Sequence, residues 1–301
     1  MANWKEIKRR IWSIKNTAKI TKAMELISTV KMKKAQDLAL EKKEYITWIL
    51  KVVENLNDSL SENVFFEWVE KSSKTLWVII TSNKWLCWGY NINVMKKINE
   101  YMKLNDEQVD FVSLWKRGSQ FVARTGNQII ADFSEDFTDN IDYAFSKNVS
   151  RFISEKFSTG DYDKVVVFYN YYKNTITQIP VARQFLPLTD KWIEKYFEAI
   201  LWDEYKKSEN IDSSYKYTVE PTVEELVDEV LPMLIDSMFY DILIESKASE
   251  HSSRMIAMKN AKDNANKFAS KLQLQYNKAR QAAITKEISE IVGWVESMKD
   301  V

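Results

Sequence analysis

A chain of 301 residues with 45% hydrophobic content is long enough to bury a full core, which excludes disorder as its global state. Its 43 basic and 43 acidic residues cancel, so bulk charge singles out neither nucleic acid nor an anionic membrane as partner. One cysteine excludes an internal disulfide, one histidine argues against a His/Cys metal cage, and no apolar run is long enough to cross a bilayer.

The start, MANWKEIKRR, lacks the apolar stretch of a signal peptide, so the expected compartment is the cytosol. Charge is nevertheless uneven along the chain. Residues 1–34 carry ten Lys or Arg against Glu6 and Glu25, while 220–250 carry nine acids against Lys247 alone. Such runs are read first as solvated faces.

From Asn3 to about Asn57 there is neither Pro nor Gly, and Ile7, Ile11, Ile14 and Ala18 step by four, three and four. Ile20, Met24, Ile27 and Val30 continue a stripe in shifted phase. The prediction is one long amphipathic helix whose narrow stripe suits a partner helix. A different grammar follows. Short β-rich runs (LWVIIT, VDFVSL, NQIIADF, KVVVFYNYY and TQIPVARQFLPL) alternate with helical stretches near 91–104, 117–124 and 139–158, which predicts a small α/β domain with a mostly parallel sheet over 72–190. Residues 191–220 include a polar connection. Thr222, with Glu225 three residues on, is a capping signal for a second helix over 221–301, where Ile284, Ile288, Ile291 and Val295 repeat the four, three, four spacing.

At about 1.5 Å per residue the two terminal helices would measure roughly 80 and 115 Å. Paired antiparallel from a common origin, residue i of the first faces about residue 279 − i of the second. Met24 then faces Met255, and the last twenty or so residues have no partner in the first helix.

Catalytic signatures are missing. No GxxxxGK[ST], GxGxxG or GxSxG occurs, and His251 has no cysteine or carboxylate at a catalytic spacing. Cys87 is read as a small packing residue, and Phe168, Tyr169, Tyr171 and Tyr172 as core and sheet surface rather than a base-stacking platform. No cofactor, metal or catalytic residue is predicted. The turn TSNKWLCWGYNIN, 81–93, poses a separate question, because a strand-to-helix turn normally needs small residues and this one carries Trp85 and Trp88.

IKNTAKITKAMELISTVKMKKAQ at 14–36, SNKWLCWGYNIN at 82–93, SRMIAMKNAKDNANK at 253–267 and YNKARQAAITKEISEIVGW at 276–294 together resemble the gamma subunit of the F-type ATP synthase, and the likeness spans essentially the whole chain. The resemblance implies a long antiparallel coiled coil of N- and C-terminal helices (1–60 and 221–301) flanking a small Rossmann-like α/β domain. It further implies a non-catalytic central-stalk rotor that couples proton or sodium flow through a membrane ring to ATP synthesis and hydrolysis. The implied partners are the alpha and beta subunits, the epsilon subunit and the c-ring, on the cytoplasmic face of a bacterial membrane, with no nucleic acid.

Matched position by position, the family's contacts with the hexamer fall on Met24, Arg254, Gln281, Thr285 and Glu287, and those with the ring on Tyr217 and Glu220. Trp85, Trp88, Trp115 and Trp294 stand where the family has glycine. The chain has only five glycines, against about 21 for an average composition of this length, and eleven tryptophans. A gene whose UGA codons mean glycine, translated as if they meant tryptophan, accounts for both numbers. Two other functions compete: a coiled-coil chaperone or tether that grips clients at its helix tips, and a small enzyme with a pocket near Thr81–Tyr90.

Overall fold

The computed structural model describes residues 4–55, 63–66, 73–83, 85–105, 107–134, 142–188, 220 and 222–299. Helix α1 runs Trp4–Asn55, and the last helix, α5, runs Val223–Lys299. Between them lie β1 (Lys74–Ile79), a 3₁₀ turn (Trp85–Cys87), α2 (Trp88–Leu104), β2 (Gln108–Ser113), α3 (Lys116–Thr125), β3 (Gln128–Asp132), α4 (Tyr143–Ser158), β4 (Lys164–Tyr172) and β5 (Gln178–Leu186). The predicted capping signal is realised, since the Oγ1 of Thr222 accepts from the backbone N–H of Glu225 at 3.3 Å.

The chain divides into two compact units, residues 30–253 and residues 1–29 with 254–301. In the first, five strands form one sheet in the order β3-β2-β1-β4-β5. β1 pairs parallel with β2 and β4, β2 pairs parallel with β3, and β5 closes the edge antiparallel to β4. Helices cover both faces, which is why β1 and β4 read as unbroken apolar runs rather than alternating ones. On one face Leu76, Val78, Val167 and Tyr169 pack with Val149 and Ile153 of α4, Ile46 and Ile49 of α1, and Met238, Phe239 and Ile242 of α5. On the other, Trp77, Ile79 and Phe168 pack with Val94 and Ile98 of α2 and Val122 of α3. Phe168 and Tyr169 thus face opposite sides and belong to the core, as their alternation predicts.

The turn after β1 is tied down by polar contacts. Asn91 accepts from the N–H of Ser82 at 2.9 Å and donates to its hydroxyl at 3.0 Å, and Ser82 Oγ lies 2.9 Å from the sulfur of Cys87. Cys87 is 1% exposed, a packing residue rather than a presented nucleophile. The N–H of Gly118 reaches Thr81 Oγ1 at 3.0 Å, and a Cβ at Gly118 would come within 2.5 Å of Ser113 Oγ, so this helix approach requires glycine. Gly126, with φ of 78°, ends α3 in the left-handed conformation.

None of the four tryptophans at family glycine positions has positive φ. Trp115 is extended (φ −144°, ψ 151°) and fully buried, with the Lys247 ammonium 4.5 Å from its ring centre, and Trp294 is 72% exposed on α5. Left-handed strain therefore does not set these positions apart.

The acidic run is not one solvated face. Glu224, Glu225, Asp228 and Glu229 are exposed, but Asp236, Asp241 and Glu250 are buried against the α/β core. Each has a reason to be tolerated. Ser150 donates to Asp236, Lys247 pairs with Glu250 at 3.0 Å, and Asp241 raises the pKa of the neighbouring Lys42 ammonium against the lowering by burial.

Candidate functional site: the helix pair

The second unit is a two-helix structure. Along α1 the less exposed residues include Trp4, Ile7, Ile11, Ile14, Ala18, Thr21, Glu25 and Ser28, and along α5 they include Met255, Met258, Lys262, Ala265, Ala269, Leu272, Tyr276, Ala279 and Ala283. Both series alternate steps of three and four, the 3.5-residue repeat of a coiled-coil seam.

This seam differs from the one sequence periodicity suggests beyond Ala18. Ile20 and Ile27 are 61% and 56% exposed, and Val30 of α1 is 69% exposed, while Thr21 and Ser28 hold the buried positions. Short hydroxyl residues can do so because each bonds to its own helix: Thr21 Oγ1 donates to the Thr17 carbonyl at 3.0 Å and Ser28 Oγ to that of Met24 at 2.7 Å. A seam of small residues lets the backbones approach and turns the larger apolar side chains outward.

Two contacts fix the antiparallel direction of the pair and bracket its register within one heptad. The rings of Trp4 and Tyr276 meet edge to face at 6.0 Å, one residue from the predicted partner of Trp4. Glu25 and Lys262, both seam positions, form an ion pair at 2.7 Å with side chains 19% and 22% exposed, and the carboxylate raises the lysine pKa. Helical side chains lean toward their own N-terminus, so in an antiparallel pair these two lean toward each other and bridge their axial offset. A polar pair in an otherwise apolar or small seam is a register device.

Past Ala283 the character of α5 changes. Ile284, Ile288, Ile291 and Val295 are 47%, 55%, 63% and 51% exposed, and Val292, Trp294 and Met298 are exposed beside them. Since Tyr276 already lies against Trp4, no described residue of α1 flanks these turns. Lys286 and Glu290 pair at 3.6 Å, which leaves a polar side next to the apolar one. A helix that presents four branched apolar residues in one row to water is built to be covered.

Of the residues matched to the family's hexamer contacts, Gln281, Thr285 and Glu287 are all exposed on this end of α5. Met24 is half-buried beside Glu25, and Arg254 is 6% exposed. Glu220 is exposed, and Tyr217 lies outside the described residues. The outward row of α1, Ile20, Ile27 and Val30, is a feature that sequence pattern assigned to the seam.

Among the described residues there is no cluster of His, Cys, Asp or Glu suited to a metal, and no helix is long and apolar enough to cross a membrane. The chain matches the family described as ATP synthase over residues 3–298. It is 37% identical over 302 residues to the ATP synthase gamma chain of Flavobacterium psychrophilum, covering 99% of this chain and all of that one. The chain belongs to the ATP synthase gamma chain family. The gamma chain of Cytophaga hutchinsonii is 35% identical over 309 residues with full coverage of both chains, and that of Heliobacterium modesticaldum 36% identical over 97% of this chain and 98% of its own. Among solved structures, a chain of the Euglena gracilis mitochondrial ATP synthase (OSCP/F1/c-ring, rotational state 3) shares the fold with a TM-score of 0.64 at 19% identity, over 98% of this chain and 94% of that one. A chain of the Tetrahymena thermophila mitochondrial ATP synthase (central stalk/c-ring) gives 0.57 at 22% identity, over 80% of this chain and 99% of that one.

Proposed function

We propose that this gamma-family chain is the central-stalk rotor of an ATP synthase, non-catalytic itself, that couples ion flow through a membrane ring to ATP synthesis or hydrolysis in an alpha/beta hexamer. The observation that carries this is the coiled coil's surplus of outward apolar side chains, on α1 and above all on the last turns of α5, which no described residue buries. An amphipathic helix end seated in a sleeve of catalytic subunits touches each of them differently. Differential contact is the only way one subunit can bias the nucleotide affinities of three others. Family membership supports the same reading. An exposed apolar helix end would also serve a client-gripping chaperone, and family membership, not the row, separates the two readings. On this reading the chain is peripheral, on the cytoplasmic side of a bacterial membrane, with the epsilon subunit and the c-ring as further partners. Glu220 and Tyr217 belong to the ring end, and Met24, Arg254, Gln281, Thr285 and Glu287 to the hexamer end.

The test is coupling. Met24 is half-buried beside the Glu25–Lys262 pair, so Met24→Lys adds a cation next to a poised ion pair at the hexamer end. In reconstituted vesicles ATP-driven ion pumping should fall severalfold further than ATP hydrolysis does. Proportional loss of both would remove Met24 from the coupling contacts, and a complex that pumps normally without this chain would remove the rotor assignment.

We infer further that Trp85, Trp88, Trp115 and Trp294 are glycine in the native protein. The support is the coincidence of four family glycine positions with a glycine-poor, tryptophan-rich composition, since backbone conformation does not argue for it. Peptide mass spectrometry of material from the source organism should find glycine at all four. Tryptophan at 85 and 88 would end the idea.

A further inference from the structure

A groove on the helix-covered face of the sheet, outside the coiled coil, has the chemistry of a docking site. It is a half-open cavity of about 270 Å³ between α2 and α3, floored by Ile92 and Met95 of α2 and Phe121 of α3. Its α3 wall is the row Arg117, Gln120, Phe121, Arg124. These stand at i, i+3, i+4 and i+7 and so share one helix face, with the two arginine positions about 10 Å apart along the axis. Arg117 is half-buried and donates from Nη1 to Gln120 Oε1 at 2.7 Å, which aligns the guanidinium along the rim, while Arg124 is exposed and makes no ion pair with any described residue.

The surroundings carry the same sign. α2 and α3 hold Lys96, Lys97, Lys103 and Lys116 besides the two arginines, against Glu100 alone, which is 3.9 Å from Lys97. Arginines at both ends of an apolar floor, on a helix with no acid, make a positive, half-apolar slot. Its volume lies below the range of small-molecule pockets, about 300–1,000 Å³, and suits one apolar side chain of a protein segment.

We infer that this groove docks a protein segment of the pattern acid, apolar, acid. One leucine- or phenylalanine-sized side chain fills the floor over Ile92, Met95 and Phe121, and carboxylates on either side meet Arg117 and Arg124. A helical segment with acids seven residues apart matches the 10 Å spacing, and carboxylates match the forked guanidinium donors. The groove lies within the α/β unit and owes nothing to the rotor reading, so either can fail alone.

The experiment is photocrosslinking in the purified, assembled complex with p-benzoylphenylalanine in place of Asn99, exposed one turn beyond Met95 on α2, which leaves Gln120 and its bond to Arg117 intact. The expected product joins this chain to one protein segment in which two acids flank an apolar residue within about eight positions. Charge reversal, Arg117→Glu with Arg124→Glu, should lower the yield at least tenfold, and Arg124→Glu alone, at an exposed side chain that cannot disturb folding, at least threefold. Arg117→Lys with Arg124→Lys should retain only part of it, because lysine keeps the charge and loses the fork. Crosslinking only to lipid or to a segment without acids, no product at all, or a yield indifferent to Arg124→Glu would overturn the assignment, whatever happens to ATP-driven pumping in the same preparations.

Discussion

Replacing Ile284, Ile288, Ile291 and Val295 together by glutamine is expected to leave the melting temperature of the isolated chain within about 3 °C of the parent and to weaken its association with the alpha/beta hexamer roughly a hundredfold. The two halves of this result have one cause. These side chains are about half exposed, so the folded chain gains little from them. Glutamine is a good helix former, so α5 persists. Full burial of an aliphatic side chain stabilises by about 1.5–3 kcal/mol, and the exposed part regained on docking is about 1 kcal/mol per residue. Even with incomplete additivity, four such losses amount to about 3 kcal/mol, or roughly two powers of ten in a dissociation constant. Native mass spectrometry across a concentration series with purified alpha and beta subunits measures it. A melting temperature that drops as after a core truncation would mean that the row packs on this chain, and unchanged affinity would mean that the hexamer does not hold it.

Stability of the α/β unit should pass through a minimum near pH 8. Glu245 sits on α5 one turn beyond Asp241, accepts from the Tyr169 hydroxyl at 3.1 Å, and lies near Arg183. Burial first and the Asp241 charge second push its pKa to about 8, against the lowering by Arg183 and by the tyrosine hydrogen bond. The folded chain therefore keeps a proton that the unfolded chain releases above about pH 4.5. The stability this confers is complete below that pH and is lost as pH rises through about 8. Lys42, packed 3.5 Å over the ring of Tyr240, acts in the opposite sense. Burial lowers its pKa to about 8 despite Asp241, so between about 8 and 10.5 the unfolded chain binds more protons and stability recovers with pH. Urea unfolding from pH 5.5 to 9.5 should show a fall of about 2–3 kcal/mol followed by a rise. Glu245→Gln should flatten the falling limb and Lys42→Met the rising one. A falling limb that survives Glu245→Gln would reassign it to another group, Asp236 first, whose pKa burial also raises.

Local rules made the order of elements readable. The missing Pro and Gly of the first fifty residues, the capping threonine at 222 and the β-rich runs each act over a few residues, and each reappears in the structure. The coiled-coil seam was readable only to Ala18. Beyond it hydrophobicity selected Ile20, Ile27 and Val30, because a periodicity of apolar residues cannot tell a face meant for the chain's own partner helix from one meant for another protein. Thr21 and Ser28 take the seam on grounds of size and self-satisfied hydroxyls, which a hydropathy pattern does not encode. Glu25 and Lys262 are 237 residues apart, so their pairing depends on a register that two sequence positions cannot state. The acids at 236, 241 and 250 were hidden for a related reason: the same helix leaves water after its third turn and enters the core, and nothing in the local composition marks the crossing.

The bare end of α5 has a bearing on symmetry. A pair of helices has two similar sides, but beyond Ala283 α5 has no partner helix among the described residues, and a single amphipathic helix has no rotation axis that maps it onto itself. Place it on the axis of a ring of three alternating seats and the seats cease to be equivalent. One meets the isoleucine row, and another meets the side of Lys286 and Glu290. The threefold degeneracy of the ring is lifted at every angle, and turning the helix by a third of a circle permutes the labels without restoring equality. The apolar row works like the hand of a clock, whose usefulness lies in having only one.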